Sequence, residues 1–171
     1  MGGEILNFEE LYQQHAKKLY YYLYGMCHNS TVAEDIVQTT FLKAIEKINT
    51  YKANAKLSTW LFQIAKNEYL DYLRKSKNIN LQQEDVVDKS DESTMSILDQ
   101  VIEQETTKTL QKCVMELAEP YRQVMLLRVY GECSYKEIGE MFDKTETWAR
   151  VTYFRAKETV VKKWKKEEGE C

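Results

Sequence analysis

Apolar residues recur along most of this chain at intervals of three and four, the spacing that lines one face of an α-helix. The first such stripe is Phe8, Leu11, Tyr12, His15, Leu19, Tyr22 and Leu23. With Asn7 and Glu10 as a start signal, it predicts a helix from Phe8 to about Cys27. Asn29 is expected to end that helix in a left-handed conformation, and Thr31 with Glu34 to open the next. There Ile36, Val37, Thr40, Phe41, Ala44 and Ile48 form the inward stripe. After a loop over 49–56, a third helix is predicted from Leu57 to about Lys77, burying Leu57, Trp60, Leu61, Ile64, Ala65 and Leu73. A further helix runs from Ile97 through Val101, Leu110, Cys113, Val114 and Leu117. Pro120 is expected just inside the start of the next, where its missing donor costs nothing. Val124, Met125, Leu126 and Leu127 make that stretch strongly apolar, and Gly131 is its expected terminator.

The stretch from Ser134 to Lys157 organises the rest. Ser134 with Glu137 is a capping box, and Ile138, Met141 and Phe142 give the helix behind it one apolar side. Asp143-Lys144-Thr145 interrupts the pattern, and Thr145 can cap a second helix. Ala149, Tyr153, Ala156, Val160 and Trp164 then line that helix's inner face. Glu146, Thr147, Trp148, Arg150, Thr152, Arg155 and Lys157 are expected to point outward, a set able to touch bases and phosphates. Two helices joined by a turn of about three residues, with a polar and basic outer face, match the helix-turn-helix arrangement. An ordinary helical hairpin with a solvated face has the same pattern, and charge separates the two. From Asp143 to Lys166 there are 8 Lys/Arg and 3 Asp/Glu, a local excess of +5 in a chain whose net charge is −3.

The acidity is concentrated elsewhere. Gln82 to Glu105 holds 8 acidic residues and one Lys, so overall charge does not argue against a phosphate-bearing partner. The weakly apolar, acidic run from Asn78 reads as a flexible linker. Before it, Lys56, Lys66, Asn67, Arg74, Lys75 and Lys77 form a basic stripe interleaved with Tyr69 and Tyr72. Basic groups neutralise phosphate, while amides and aromatics can hold unstacked bases. The class is therefore all-α, with two small helical domains on either side of an acidic linker. No apolar run reaches the roughly 18–20 residues needed to cross a bilayer, and there is no leader pattern, so a cytoplasmic protein is expected. Cys27, Cys113, Cys133 and Cys171 lie far apart and are expected to be reduced thiols. No Ser-His-Asp set, phosphate-cradling glycine loop or metal-ligand cluster is present, so no enzyme activity, metal or cofactor is expected.

The stretches AEDIVQTTFLKAI and KLSTWLFQIAKNEYLDYLRK resemble the polymerase-binding and promoter-melting regions of the sigma-70 family. AEPYRQVMLLRVYGECSYKEIGEMF and the helix after it resemble that family's second conserved domain, and the short two-domain form is similar to extracytoplasmic-function (ECF) sigma factors. The resemblance implies a region 2-like domain over 5–77, a linker over 78–100 and a region 4-like domain over 101–167. It implies that Asp35, Gln38, Phe41 and Leu42 dock on core RNA polymerase. Asn54, Lys56, Ser58, Thr59, Trp60, Lys66, Asn67 and Arg74 would capture the −10 strand. Thr145, Glu146, Thr147, Trp148, Arg150, Val151, Arg155 and Lys157 would read the −35 duplex. Core RNA polymerase, promoter DNA and an anti-sigma factor, membrane-associated by family analogy, are the implied partners. Trp148-Ala149 and Thr152 depart from the family's common pattern, so the promoter sequence does not transfer. Two other readings stay open: a self-sufficient helix-turn-helix regulator whose N-terminal helices bind a ligand or dimerise, and a helical interaction module without a nucleic-acid role.

Overall fold

Asn7 accepts a hydrogen bond from the Glu9 backbone amide and starts the first helix, α1, Phe8–Cys27. The computed structural model describes residues 7–80 and 105–169, and among these it contains seven α-helices, one 3-10 turn and no strand. After α1 come α2 (Ser30–Lys47), the 3-10 turn Ile48–Thr50, α3 (Leu57–Asn80), α4 (Glu105–Met115), α5 (Tyr121–Val129), α6 (Tyr135–Met141) and α7 (Glu146–Glu167).

The α1–α2 junction is tighter than the sequence suggested. His28, not Asn29, takes the left-handed conformation (φ 56°) and donates its amide to the Tyr24 carbonyl at 2.9 Å. Asn29 is extended and caps α2, its side chain accepting from Val32 N at 3.1 Å. An Asn side chain oxygen satisfies a free donor of the incoming helix, which makes it more useful there than as a helix terminator. Thr31 consequently lies inside α2 rather than before it. Gly131 is likewise not the left-handed terminator of α5. Glu132 adopts that conformation (φ 50°). Gly131 is held to a missing side chain by space, since a Cβ there would lie 2.7 Å from the Leu127 carbonyl and 2.9 Å from Cys133 Sγ. Pro120 occupies the position before α5, and α4 stops at Met115, short of Leu117. The expected helix segment from Ile97 to Gln104 and most of the acidic linker lie outside the described residues. α3 itself runs on to Asn80.

Each expected inward stripe finds a partner, with three exceptions. Leu11, Leu19, Tyr22 and Leu23 of α1 meet Ile36, Val37, Thr40, Phe41 and Ala44 of α2 and Leu61, Phe62, Ile64 and Ala65 of α3. Tyr12 remains 47% exposed although its ring lies 4.9 Å from that of Phe41. Leu73 is exposed, because nothing from Leu73 to Ile79 is buried and the end of α3 passes beyond its packing partners. Leu110 of α4 is the third, at 44% exposed. The tyrosine run packs as amphipathic rings do: Tyr22 is wholly buried and Tyr21 stacks on Tyr130 of the other half at 5.6 Å.

One core joins the two halves. Val124, Leu126 and Leu127 of α5, with Cys133, Ile138 and Ala149, continue the cluster built by α1, α2 and α3. A second cluster of Cys113, Leu117, Met125, Ala156 and Val160 holds α4, α5 and α7 together. Burying one such Leu or Ile is worth about 1.5–3 kcal/mol, so the shared cluster binds the halves firmly.

Candidate nucleic-acid interface

The capping box at the start of α6 forms as expected. Ser134 Oγ accepts from Glu137 N at 3.1 Å, and Glu137 Oε2 accepts from Ser134 N at 3.1 Å. At the other end of α6 the chain reverses through Asp143, whose φ is 55°, and Lys144 donates its amide to the Gly139 carbonyl at 2.8 Å. Gly139 makes this turn possible: a Cβ there would meet the carbonyls of Thr145 at 2.7 Å and Lys144 at 2.9 Å. The sequence reading did not single out Gly139; a glycine on the inner face, four residues before the predicted break, was the available signal. Thr145 Oγ1 then accepts from Trp148 N at 3.0 Å and sets α7 on its course.

Thr145, Glu146, Thr147, Arg150, Val151, Arg155 and Lys157 stand exposed on or just before α7. Glu146 pairs with Arg150 at 3.2 Å, and the Arg150 guanidinium lies 5.4 Å from the Tyr135 ring centroid, so its fork is oriented before any ligand arrives. Trp148 is half-buried, its ring 5.4 Å from Phe142. Thr152 corrects an expectation. It is buried, and its hydroxyl donates to the Trp148 carbonyl at 2.7 Å, because it falls on the same side as Ala149 and Ala156. Phe154, 52% exposed one turn beyond Arg150 and Val151, is an outward aromatic that the sequence reading passed over.

The second set of residues surrounds the N-terminal half of α3. Asn54, Lys56, Asn67 and Arg74 are exposed, and Ser58 and Trp60 are half-buried. Trp60 lies 5.2 Å from the Tyr51 ring, and both line an open cavity of about 300 Å³ with Asn54, Gln63, Glu137 and Glu140. Arg74 is paired with Asp71 at 2.9 Å. Thr59 and Lys66 are not open to solvent; both are buried beneath α6. Thr59 Oγ1 donates to Glu137 Oε2 at 2.8 Å. Lys66 Nζ donates to the Met141 carbonyl at 3.1 Å and lies 4.5 Å from the Phe142 ring centroid. Burial pulls the Lys66 ammonium below its usual pKa, opposed by the Asp143 carboxylate nearby.

The third set lies on α2. Asp35, Gln38 and Leu42 are exposed along one stripe, Leu42 by 62%, and Ile45 extends it. Phe41 points the other way, into the core against Tyr12. An ion pair between Lys43 and Glu68 ties α2 to α3 beside this stripe. Among the described residues no group of His, Cys, Asp and Glu gathers to hold a metal, and no helix is long and apolar enough to cross a membrane.

A capped turn presenting a basic recognition helix, beside an amide-, aromatic- and lysine-bearing face on a separate helix, defines a nucleic-acid-binding protein of the helix-turn-helix class. Residues 11–79 match the family model for sigma-70 region 2, and residues 107–160 match that for sigma-70 region 4. The chain belongs to the sigma-70 family, in its extracytoplasmic-function form, a family of transcription initiation factors. It is 29% identical over 154 residues to the ECF RNA polymerase sigma factor SigM of Bacillus subtilis, spanning 90% of this chain and 92% of the relative. It is also 29% identical over 163 residues to SigW of the same organism, spanning 91% and 87%. In fold it is similar to the sigma factor RpoE of Bartonella quintana, solved with the anti-sigma factor NepR: the TM-score is 0.78 at 20% identity, covering 94% of this chain and 98% of that one.

Proposed function

We propose that this sigma factor docks on core RNA polymerase through the exposed α2 stripe of Asp35, Gln38 and Leu42, with Phe41 setting that stripe's position from within the core. Asn54, Lys56, Ser58, Thr59, Trp60, Lys66, Asn67 and Arg74 capture the opened −10 strand, and α7 reads the −35 duplex in the major groove. The domains serving these tasks are 5–77 and 101–167, joined by the acidic connection at 78–100. The observation that carries the reading is the match to both regions in chain order, combined with a recognition helix whose Arg150, Val151 and Arg155 stand in solvent. The protein performs no bond chemistry, acts in the cytoplasm and is restrained by an anti-sigma factor. The last point is supported by its likeness to a sigma factor solved with such a partner.

Run-off transcription with purified core RNA polymerase and a pool of genomic promoter fragments tests this. Discrete start sites that depend on the protein are the expected result, and their upstream sequences deliver the two promoter elements. Silence in that assay, with tight duplex binding by the protein alone, would instead identify a self-sufficient regulator.

A further inference from the structure

Where the two core clusters meet they leave a cavity of about 560 Å³, open to solvent and walled by α1, α4, α5 and α7. Leu126 of the first cluster lines it, as do Met125 and Val160 of the second, all three buried, and Val114 packs against both clusters. Leu110, Val129 and Val161 also line it but stand exposed, one aliphatic side chain from each of three helices. A single exposed aliphatic needs no explanation, whereas three gathered round one recess mark a binding surface. The charges are as uneven as the apolar groups. No Asp or Glu lines the cavity, although the chain carries a net charge of −3. Lys108 and Lys157 do line it, both exposed and neither in an ion pair among the described residues. Gln111 and Tyr130 hydrogen-bond each other in its wall, which satisfies that pair.

We propose that this cavity binds a free, single-chain anionic amphiphile of the fatty-acid kind, its chain between the helices and its carboxylate against Lys108 and Lys157. Small-ligand sites hold roughly 300–1,000 Å³, are mostly apolar and carry a few placed polar groups, and this cavity has all three properties. Water lying on aliphatic walls is released as a chain enters, so each buried methylene should tighten binding about fourfold. Met115 and Met125 are unbranched and adapt to a flexible chain. The two ammonium groups select an acid over a neutral or cationic chain of equal length. A bilayer surface fits less well, because Met125, Leu126 and Val160 are reached from between four helices, where one detached chain can go. The site stands on the cavity and its charges, and needs nothing of the sigma-factor reading.

The test uses the full chain and a monomeric probe, undecanoic acid with a dansyl group at the end remote from its carboxylate. Its fluorescence should rise saturably at one probe per chain. Octanoate, decanoate and dodecanoate should displace it with affinity rising about fourfold per methylene. Dodecylammonium, the same chain with the opposite charge, should displace it about tenfold less well or worse. Lys157 also belongs to the proposed duplex-reading set, so the substitutions fall on exposed Lys108 and Leu110. Lys108→Glu lies in the first turn of α4, where an acid is tolerated, and should weaken binding about three- to fivefold. Leu110→Glu sets a carboxylate against the chain and should weaken it about tenfold or more. A thermal melt shows that each variant folds, and dodecanoate should raise the melting temperature of the wild type but not of Leu110→Glu. Absent or unsaturable binding, equal displacement by acid and amine, or unchanged affinity in either variant overturns the proposal. So does probe binding that appears only when Met95, Leu98 and Ile102 are replaced by Ser, since the chain's own 81–104 stretch would then be the occupant. Binding to phosphatidylglycerol vesicles without binding of the monomeric probe overturns it in favour of a membrane surface.

Discussion

Cys133 shows how much a single buried side chain can depend on its surroundings. It is fully enclosed near Gly131, and burial pushes its thiol up to about 12 from an ordinary 9.0. The thiolate is the reactive form, so Cys133 should resist alkylation at pH 8 in the native protein and react at once in denaturant; mass spectrometry after iodoacetamide treatment reads this directly. Because the folded protein keeps this proton while the unfolded chain loses it, stability should fall as pH rises from about 9 toward 12. Gly139 carries a second prediction. Replacing it by Ala drives a Cβ against two backbone carbonyls, neither of which can rotate away, so the turn before α7 must shift. A loss of roughly 2–4 kcal/mol is expected in denaturant melts, with −35 duplex binding lost alongside it. Identities such as the capping role of Thr145 were legible in sequence, because a cap acts within a few residues of itself. The crowding at Gly131 and Gly139 was not, since it depends on which atoms the fold brings opposite them.

Helix by helix, periodicity was a reliable guide to which face turns inward, and less so to where each element stops. α1 begins at its start signal and α3 at the Leu57 that opens its stripe, while the ends at His28, Met115 and Asn80 follow from tertiary fit. Asn29 illustrates the reason. One short polar residue can terminate a helix or cap the next, and the two-residue junction leaves room only for the second role. At α7 the local rule and the fold agree. Thr145→Ala removes the bond to Trp148 N and should cost about 1 kcal/mol in a thermal melt. If α7 reads the −35 element as proposed, the same change should weaken −35 binding more than −10 binding, since α7 would fray at its N-terminal end. Thr152 was expected outward and is not; a helix conceals a threonine by letting it donate to the carbonyl four residues back.

The whole molecule melts as its core dictates. With Leu127 at 0% exposure inside a cluster shared by α1, α2, α3 and α5, Leu127→Ala should cost about 2–5 kcal/mol. Both halves should lose that stability together, so hydrogen exchange in α3 and in α7 should report one transition. Separate transitions would mean that the halves fold independently. What the chain alone determined is the all-α class, the inward stripes, the capped turn and the basic charge of the C-terminal helix. All of these are set by residues close in sequence, through periodicity, capping and charge density. Tertiary structure alone decided that the two helical units share one core and that Thr59 and Lys66 lie under α6. Those facts depend on which surfaces meet across 75 or more residues of chain, and no local pattern encodes the meeting.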